Sequence, residues 1–140
     1  SASSSAGSES SAGSQSSSGQ QYCTPGDQAT MDCMFYYYIG GNLVDWRIIL
    51  NLTKTQSAPV YRWTWSGMAN QQAWVELDLT TQRMRCYFYF KRHGDDVYIE
   101  GLSPWKPFNY HNQFVATFTE WETLVNCQSS TVLVTINCAL

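Results

Sequence analysis

His93-Gly94-Asp95-Asp96 is the nearest approach in this chain to a catalytic constellation, an imidazole followed closely by two carboxylates. Catalysis by such groups needs a nucleophile, a base and something that orients the base at bonding distance. Gly and Asp at this spacing are also ordinary turn residues, and a hairpin turn leaves its charges in water. The solvated turn is the simpler reading. Glu120 and Glu122 flank Trp121, and on a strand they would face the same way, as a carboxylate pair that hydrolyses glycosides must. Nothing nearby marks a cleft, so a solvated edge is again simpler. His111 reads as a surface or interface residue within an aromatic loop. The phosphate-binding loop, the dinucleotide fingerprint and the nucleophile elbow are all missing from the sequence. The expectation is a protein without catalytic residues and without a cofactor.

Metal and redox chemistry fare no better. The five cysteines, Cys23, Cys33, Cys86, Cys127 and Cys138, form no C-x-x-C pair, and two histidines do not complete a zinc pattern. An odd count in strand-like surroundings fits buried free thiols in a reducing compartment; one or two disulfides in an extracellular domain are the alternative. The net charge of −3 comes from 11 acids and 8 bases without long runs, which gives no footprint for a nucleic-acid backbone. No stretch approaches the roughly 20 apolar residues that span a bilayer.

The aromatic content is the remaining candidate for function: six Trp and nine Tyr in 140 residues. Flat rings with polar rims stack on sugars or bases, yet aromatics also dominate interiors and subunit contacts. Trp63 and Trp65 share one strand face and would suit a platform, while Trp46 belongs to a regular apolar face and reads as core. Trp105, Phe108 and Tyr110 lie in a proline-bearing loop and are candidate contact residues for a ligand or a neighbouring subunit.

The elements that would position these groups are strands. Val44, Trp46, Ile48, Leu50 and Leu52 alternate with Asp45, Arg47 and Asn51, the period of a half-buried strand, with Ile49 the apolar exception on the outer side. Gly40-Gly41-Asn42 separates this strand from the aromatic run before it and predicts a hairpin or a sharp bend. Further alternation at 60–65, 74–79, 83–91, 97–100, 114–119 and 131–136 predicts seven or eight antiparallel strands; Gln28 to Met34 offers one helical turn at most. The fold class is therefore all-β, an antiparallel sandwich or barrel. Residues 1–22, nearly all Ser, Ala, Gly, Gln and Glu, are expected to be a flexible arm or linker, and residues 23–140 the folded domain.

The stretch Met34-Phe35-Tyr36-Tyr37-Tyr38-Ile39-Gly40-Gly41-Asn42-Leu43-Val44-Asp45-Trp46-Arg47-Ile48 resembles the capsid proteins of picornavirus-like viruses, including the insect-infecting branches. Val97-Tyr98-Ile99-Glu100-Gly101-Leu102-Ser103-Pro104-Trp105 is similar to a later strand of that family, in the same order and spacing. Ile39 stands where the family often has arginine, and little chain precedes Cys23 for the opening strands. The resemblance implies a jelly-roll β-sandwich, whole or completed by a preceding segment or a neighbour, or else a protruding domain on a Ser-rich tether. It also implies a structural subunit of a non-enveloped icosahedral virion. Its partners would be other capsid subunits and a host receptor, and it would assemble in host cytoplasm. The alternative from the residues alone is a secreted carbohydrate-binding sandwich displaying Trp63, Trp65 and Trp105.

Overall fold

The structure, a computed structural model, describes residues 22–139; the expected arm at 1–22 lies almost wholly outside the described residues. Among the described residues ten strands form: β1 Pro25–Ile39, β2 Asn42–Gln56, β3 Val60–Ser66, β4 Gln72–Asp78, β5 Arg83–Lys91, β6 Tyr98–Leu102, β7 Lys106–Pro107, β8 Asn109–Tyr110, β9 Gln113–Phe118 and β10 Ser129–Cys138. All pairings are antiparallel, in the order β6-β5-β4-β3-β2-β1-β10-β9-β8, with the short β7 added beside β5. The expected all-β antiparallel architecture is the one the chain adopts. Among the described residues no helix is long and apolar enough to cross a membrane.

The long β1–β2 hairpin turns at Gly40 and Gly41, whose φ angles of 57° and 84° are left-handed. Two such residues in succession make the tight turn whose twist matches the strands it joins. Along β1 the odd residues Ala29, Met31, Cys33, Phe35 and Tyr37 are buried and the even ones are more exposed. Gln28 to Met34, which offered one helical turn, is thus strand. It is held on one side by β2 and on the other by β10, and two complete ladders outweigh a weak local preference.

The sheet curls into two facing layers. β2 pairs with β3 only from Thr53 to Gln56, across a register shift between Lys54 and Gln56, and this narrow corner folds β3–β6 over β1, β2, β9 and β10. Phe35 of β1 meets Phe88 and Phe90 of β5 at 5.0 and 5.8 Å between ring centroids, and Trp46 meets Phe90 at 6.1 Å. Trp63 is fully buried at the corner, its indole N–H donating to the Gly26 carbonyl at 3.0 Å, which satisfies the one polar atom it brings inside. From β6 the chain crosses to the far edge of the other layer, then returns after β9 through residues 119–128. On that return Trp121 packs edge-on against Phe88 over Gly101, where a Cβ would lie 2.7 Å from the Phe88 ring.

A disulfide joins Cys23 to Cys138, with 5.6 Å between their Cα atoms, and so ties the start of β1 to the end of β10. The reading of all five cysteines as free thiols is corrected here. β10 returns antiparallel to β1 and sets Cys138 beside Pro25, a meeting of residues 115 apart that no local pattern announces. Cys33 and Cys86 are free and buried, as expected, and Cys127 is free and half-buried.

Candidate functional site

The outward face of β3–β6 gathers aromatic and arginine side chains that the alternation of these strands throws away from the core. Ala73, Val75 and Leu77 of β4 point inward, leaving Trp74, Glu76 and Asp78 outside. On β5 the inward set is Met84, Cys86, Phe88 and Phe90, leaving Arg85, Tyr87 and Tyr89 outside. The register then places Arg62, Glu76 and Arg85 in one row and Thr64, Trp74, Tyr87 and Leu102 in the next.

Within this face Trp105, Arg85, Trp74 and Arg62 form an alternating chain. The Arg85 guanidinium lies 4.6 Å from the Trp105 ring centroid and 5.4 Å from Trp74, and Arg62 lies 4.4 Å from Trp74. Flat, weakly hydrated guanidinium groups suit such stacking. Glu76, only 7% exposed, pins both arginines. Its Oε2 accepts from Arg62 Nε and Nη2 at 3.1 and 3.0 Å, and its Oε1 accepts from Arg85 Nε at 2.7 Å. Trp74 also stacks with Tyr87 at 5.5 Å. Tyr87 donates its hydroxyl to Glu100 at 2.6 Å. Burial, and then the bond to Glu100, push the Tyr87 phenol well above its usual range, so it stays a donor. Tyr89 stacks with Tyr98 at 4.9 Å, and Tyr98 in turn donates to the Ala69 carbonyl at 2.9 Å.

This face carries no nucleophile beside a base. Arg62, Arg83 and Arg85 are balanced by Glu76, Asp78 and Glu100, so it is close to neutral. Its rings are engaged with one another and with guanidinium planes, which limits the bare ring area that a sugar needs. What it offers is a broad, rigid surface of ring edges, hydroxyls and N–H groups.

The sequence-predicted residues divide. Trp105 belongs to this face. Trp63 and Trp65, candidates for a ligand platform with core packing as the other reading, lie on the inner side of β3: Trp63 is in the core and Trp65 packs against Phe90 at 5.9 Å. Phe108 and Tyr110 turn toward the chain entrance, where they clasp Tyr22 at 5.5 and 5.0 Å, and Cys23 N–H donates to the Tyr110 hydroxyl at 2.9 Å. Sequence reasoning missed Trp74, Tyr98, Arg62 and Glu76 as site residues. The available signal was a tryptophan on the polar side of an alternating strand, at Trp74.

His93 lines an open cleft of about 420 Å³ with Trp46, Gln71, Lys91, Arg92, Gly94, Asp95 and Asp96. Its carboxylates are committed elsewhere. Asp95 takes two bonds from Arg92, at 2.9 and 2.8 Å, and Asp96 pairs with Lys91 at 2.9 Å. The Arg92 bonds hold the Asp95 carboxyl below its ordinary range. Among the described residues no hydrogen bond joins either acid to the His93 ring, and the His93 group that is bonded is its carbonyl, which accepts from Tyr37 at 2.7 Å. Glu120 and Glu122 fall in the return segment and not on a strand. The Thr119 hydroxyl and Lys106 keep Glu120 ionised, the opposite of a general acid. His111 is exposed in the turn before β9.

Comparison with known proteins gives no matching family model and no significant match among curated proteins or solved structures.

Proposed function

We propose that the domain is a non-catalytic module that works by protein contact, and that the outer face of β3–β6 is where a partner protein docks. The carrying observation is the Trp105–Arg85–Trp74–Arg62 chain locked by Glu76. Trp, Tyr and Arg are the residues in which interface binding energy concentrates. Side chains already fixed before binding lose little further entropy when a partner covers them. A broad face of ring edges, hydroxyls and guanidinium planes suits a macromolecule better than a small ligand. A capsid subunit in a virion, contacting other capsid proteins, is the form of this function that the sequence resemblance favours.

The test is photocrosslinking from Gln72 or Tyr89 in the full chain within its native source, with Thr131 on the opposite layer as control. Adducts to one or a few defined proteins, lost on Trp74→Ala, support the reading; other coat proteins among them would support the capsid form. Binding to a glycan array that falls on Trp105→Ala, with no protein adduct, would overturn it in favour of the carbohydrate module.

A further inference from the structure

We propose that the open edge of β2 joins two copies of this chain edge to edge, through a two-fold axis at Trp46. β2 pairs with β1 along Asn42–Thr53, but with β3 only from Thr53 onward, so from Asn42 to Leu52 its other side has no partner among the described residues. The edges at β6 and β9 are partly occupied. The Leu102 carbonyl of β6 takes the Glu122 N–H at 2.8 Å, its Tyr98 carbonyl takes Asn126 Nδ2 at 3.3 Å, and the Thr117 carbonyl of β9 takes Lys106 Nζ at 2.6 Å. The open stretch of β2 has no proline, no bulge and no inward-pointing charge, with Val44, Trp46, Ile48 and Leu50 facing inward; its two charges, Asp45 and Arg47, are outward and of opposite sign.

The hairpin decides which amides are free. A two-residue turn makes Ile39 and Asn42 the closing hydrogen-bonded pair, so even residues of β2 bond to β1 and odd ones, Leu43 to Asn51, present N–H and C=O outward. The side chains then choose the occupant. An antiparallel pairing centred on Trp46 sets Asp45 opposite the Arg47 of the second copy, twice, and Leu43 opposite Ile49, twice. Leu43 and Ile49 are 58% and 54% exposed in the single chain. On the inner side Val44 meets Ile48. Centring on Asp45 or on Arg47 would put like charges face to face, which is destabilising. Arg47 already holds Asp32 at 2.6 and 2.9 Å and has donors left for a second carboxylate. The pattern is self-complementary, as a two-fold interface requires. One added ladder is small beside the about 1,600 Å² of a standard interface, so micromolar association is expected.

The decisive measurements are the solution mass of the full chain and its residue-resolved amide exchange, both followed over concentration up to about 100 µM. The expected mass rises toward twice 15.9 kDa, while the amides of Leu43, Asp45, Arg47, Ile49 and Asn51 slow with concentration and those of Val44, Trp46, Ile48 and Leu50 do not change. Asp45→Arg, which leaves the Asp32–Arg47 pair in place, should be monomeric, as should Arg47→Asp, and mixing the two should restore a dimer through opposite charges. A mass of one chain throughout overturns the proposal. So does odd-residue protection independent of concentration, which would mean that residues 1–21 cover the edge. Trp74→Ala should leave the dimer intact, so this proposal and the docking face are tested separately.

Discussion

Breaking the Cys23–Cys138 disulfide, by reduction or by Cys138→Ser, should be among the most destabilising single changes that leave the core untouched. The bridge closes a loop of 115 residues, and loop-closure entropy for that length is about 4.8 kcal/mol at room temperature, an upper value because native disulfides usually contribute about 2–5 kcal/mol. The folded side changes little. β10 remains paired with β1 from Ala29 to Tyr36, and the Ala139 N–H still donates to the Thr24 carbonyl at 2.7 Å. The effect therefore lies mainly in the unfolded chain, which becomes free to expand. With an unfolding entropy of about 2.1 cal/mol/K per residue over roughly 118 residues, a loss of 3–5 kcal/mol lowers Tm by about 12–20 °C. Calorimetry and urea titration of oxidised and reduced protein measure this, and the urea m-value should rise as the cross-link is removed, because more surface is exposed on unfolding. A Tm shift of only a few degrees with an unchanged m-value would refute the reasoning. Thiol counting adds a check: three thiols react in the unfolded, unreduced chain, whereas in the native protein Cys33 and Cys86 stay unreactive, burial holding both thiols protonated.

Glu76→Ala should lower stability by about 2 kcal/mol, because Arg62 and Arg85 are left facing one another without the carboxylate between them; denaturant midpoints with the Arg62→Ala single and double variants would give a strongly non-additive cycle. Gly101→Ala should lower stability by about 1–3 kcal/mol, since the new methyl would lie 2.7 Å from the Phe88 ring and 3.0 Å from the Trp121 ring and must displace both; an unchanged Tm would show that the return segment is not packed as described. Stability should also fall in acid. Bonds from Arg47 hold Asp32, and bonds from Arg92 hold Asp95, below their ordinary carboxylate value of 3.8. Groups with a depressed folded pKa add stability that is present above the unfolded value and lost as pH falls through the folded one. Tm should therefore drop below about pH 4, and Arg47→Ala should flatten part of that drop; a Tm independent of pH between 5 and 2 would contradict it.

Much of the secondary structure was legible because strand alternation and turn chemistry are local. Met84, Cys86, Phe88 and Phe90 form the inner set that the spacing predicts, and the break at Gly40-Gly41 is the hairpin turn. β2, however, runs to Gln56, past the alternation that ends at Leu52, because Thr53 and Lys54 pair across the corner with Thr64 and Trp63. The docking face was half legible. Tyr87 and Tyr89 could be placed beside Arg83 and Arg85 on one side of a strand, but nothing local tied them to Trp74, Arg62 or Trp105.

By itself, the sequence determined that the chain forms strands, where most of them turn, and which residues of each strand share a side, because these follow from steric preferences within a few residues. Tertiary structure alone decided which side is covered. Tyr61, Trp63 and Trp65 alternate as cleanly as any exposed platform would, and they became interior only because β3 folds over the layer that holds Phe35 and Trp46. It also decided the pairing of β10 with β1, the Cys23–Cys138 bridge and the bare edge of β2. Each of these depends on which distant strands win the competition for one another's backbone groups and apolar faces, a balance struck over the whole domain.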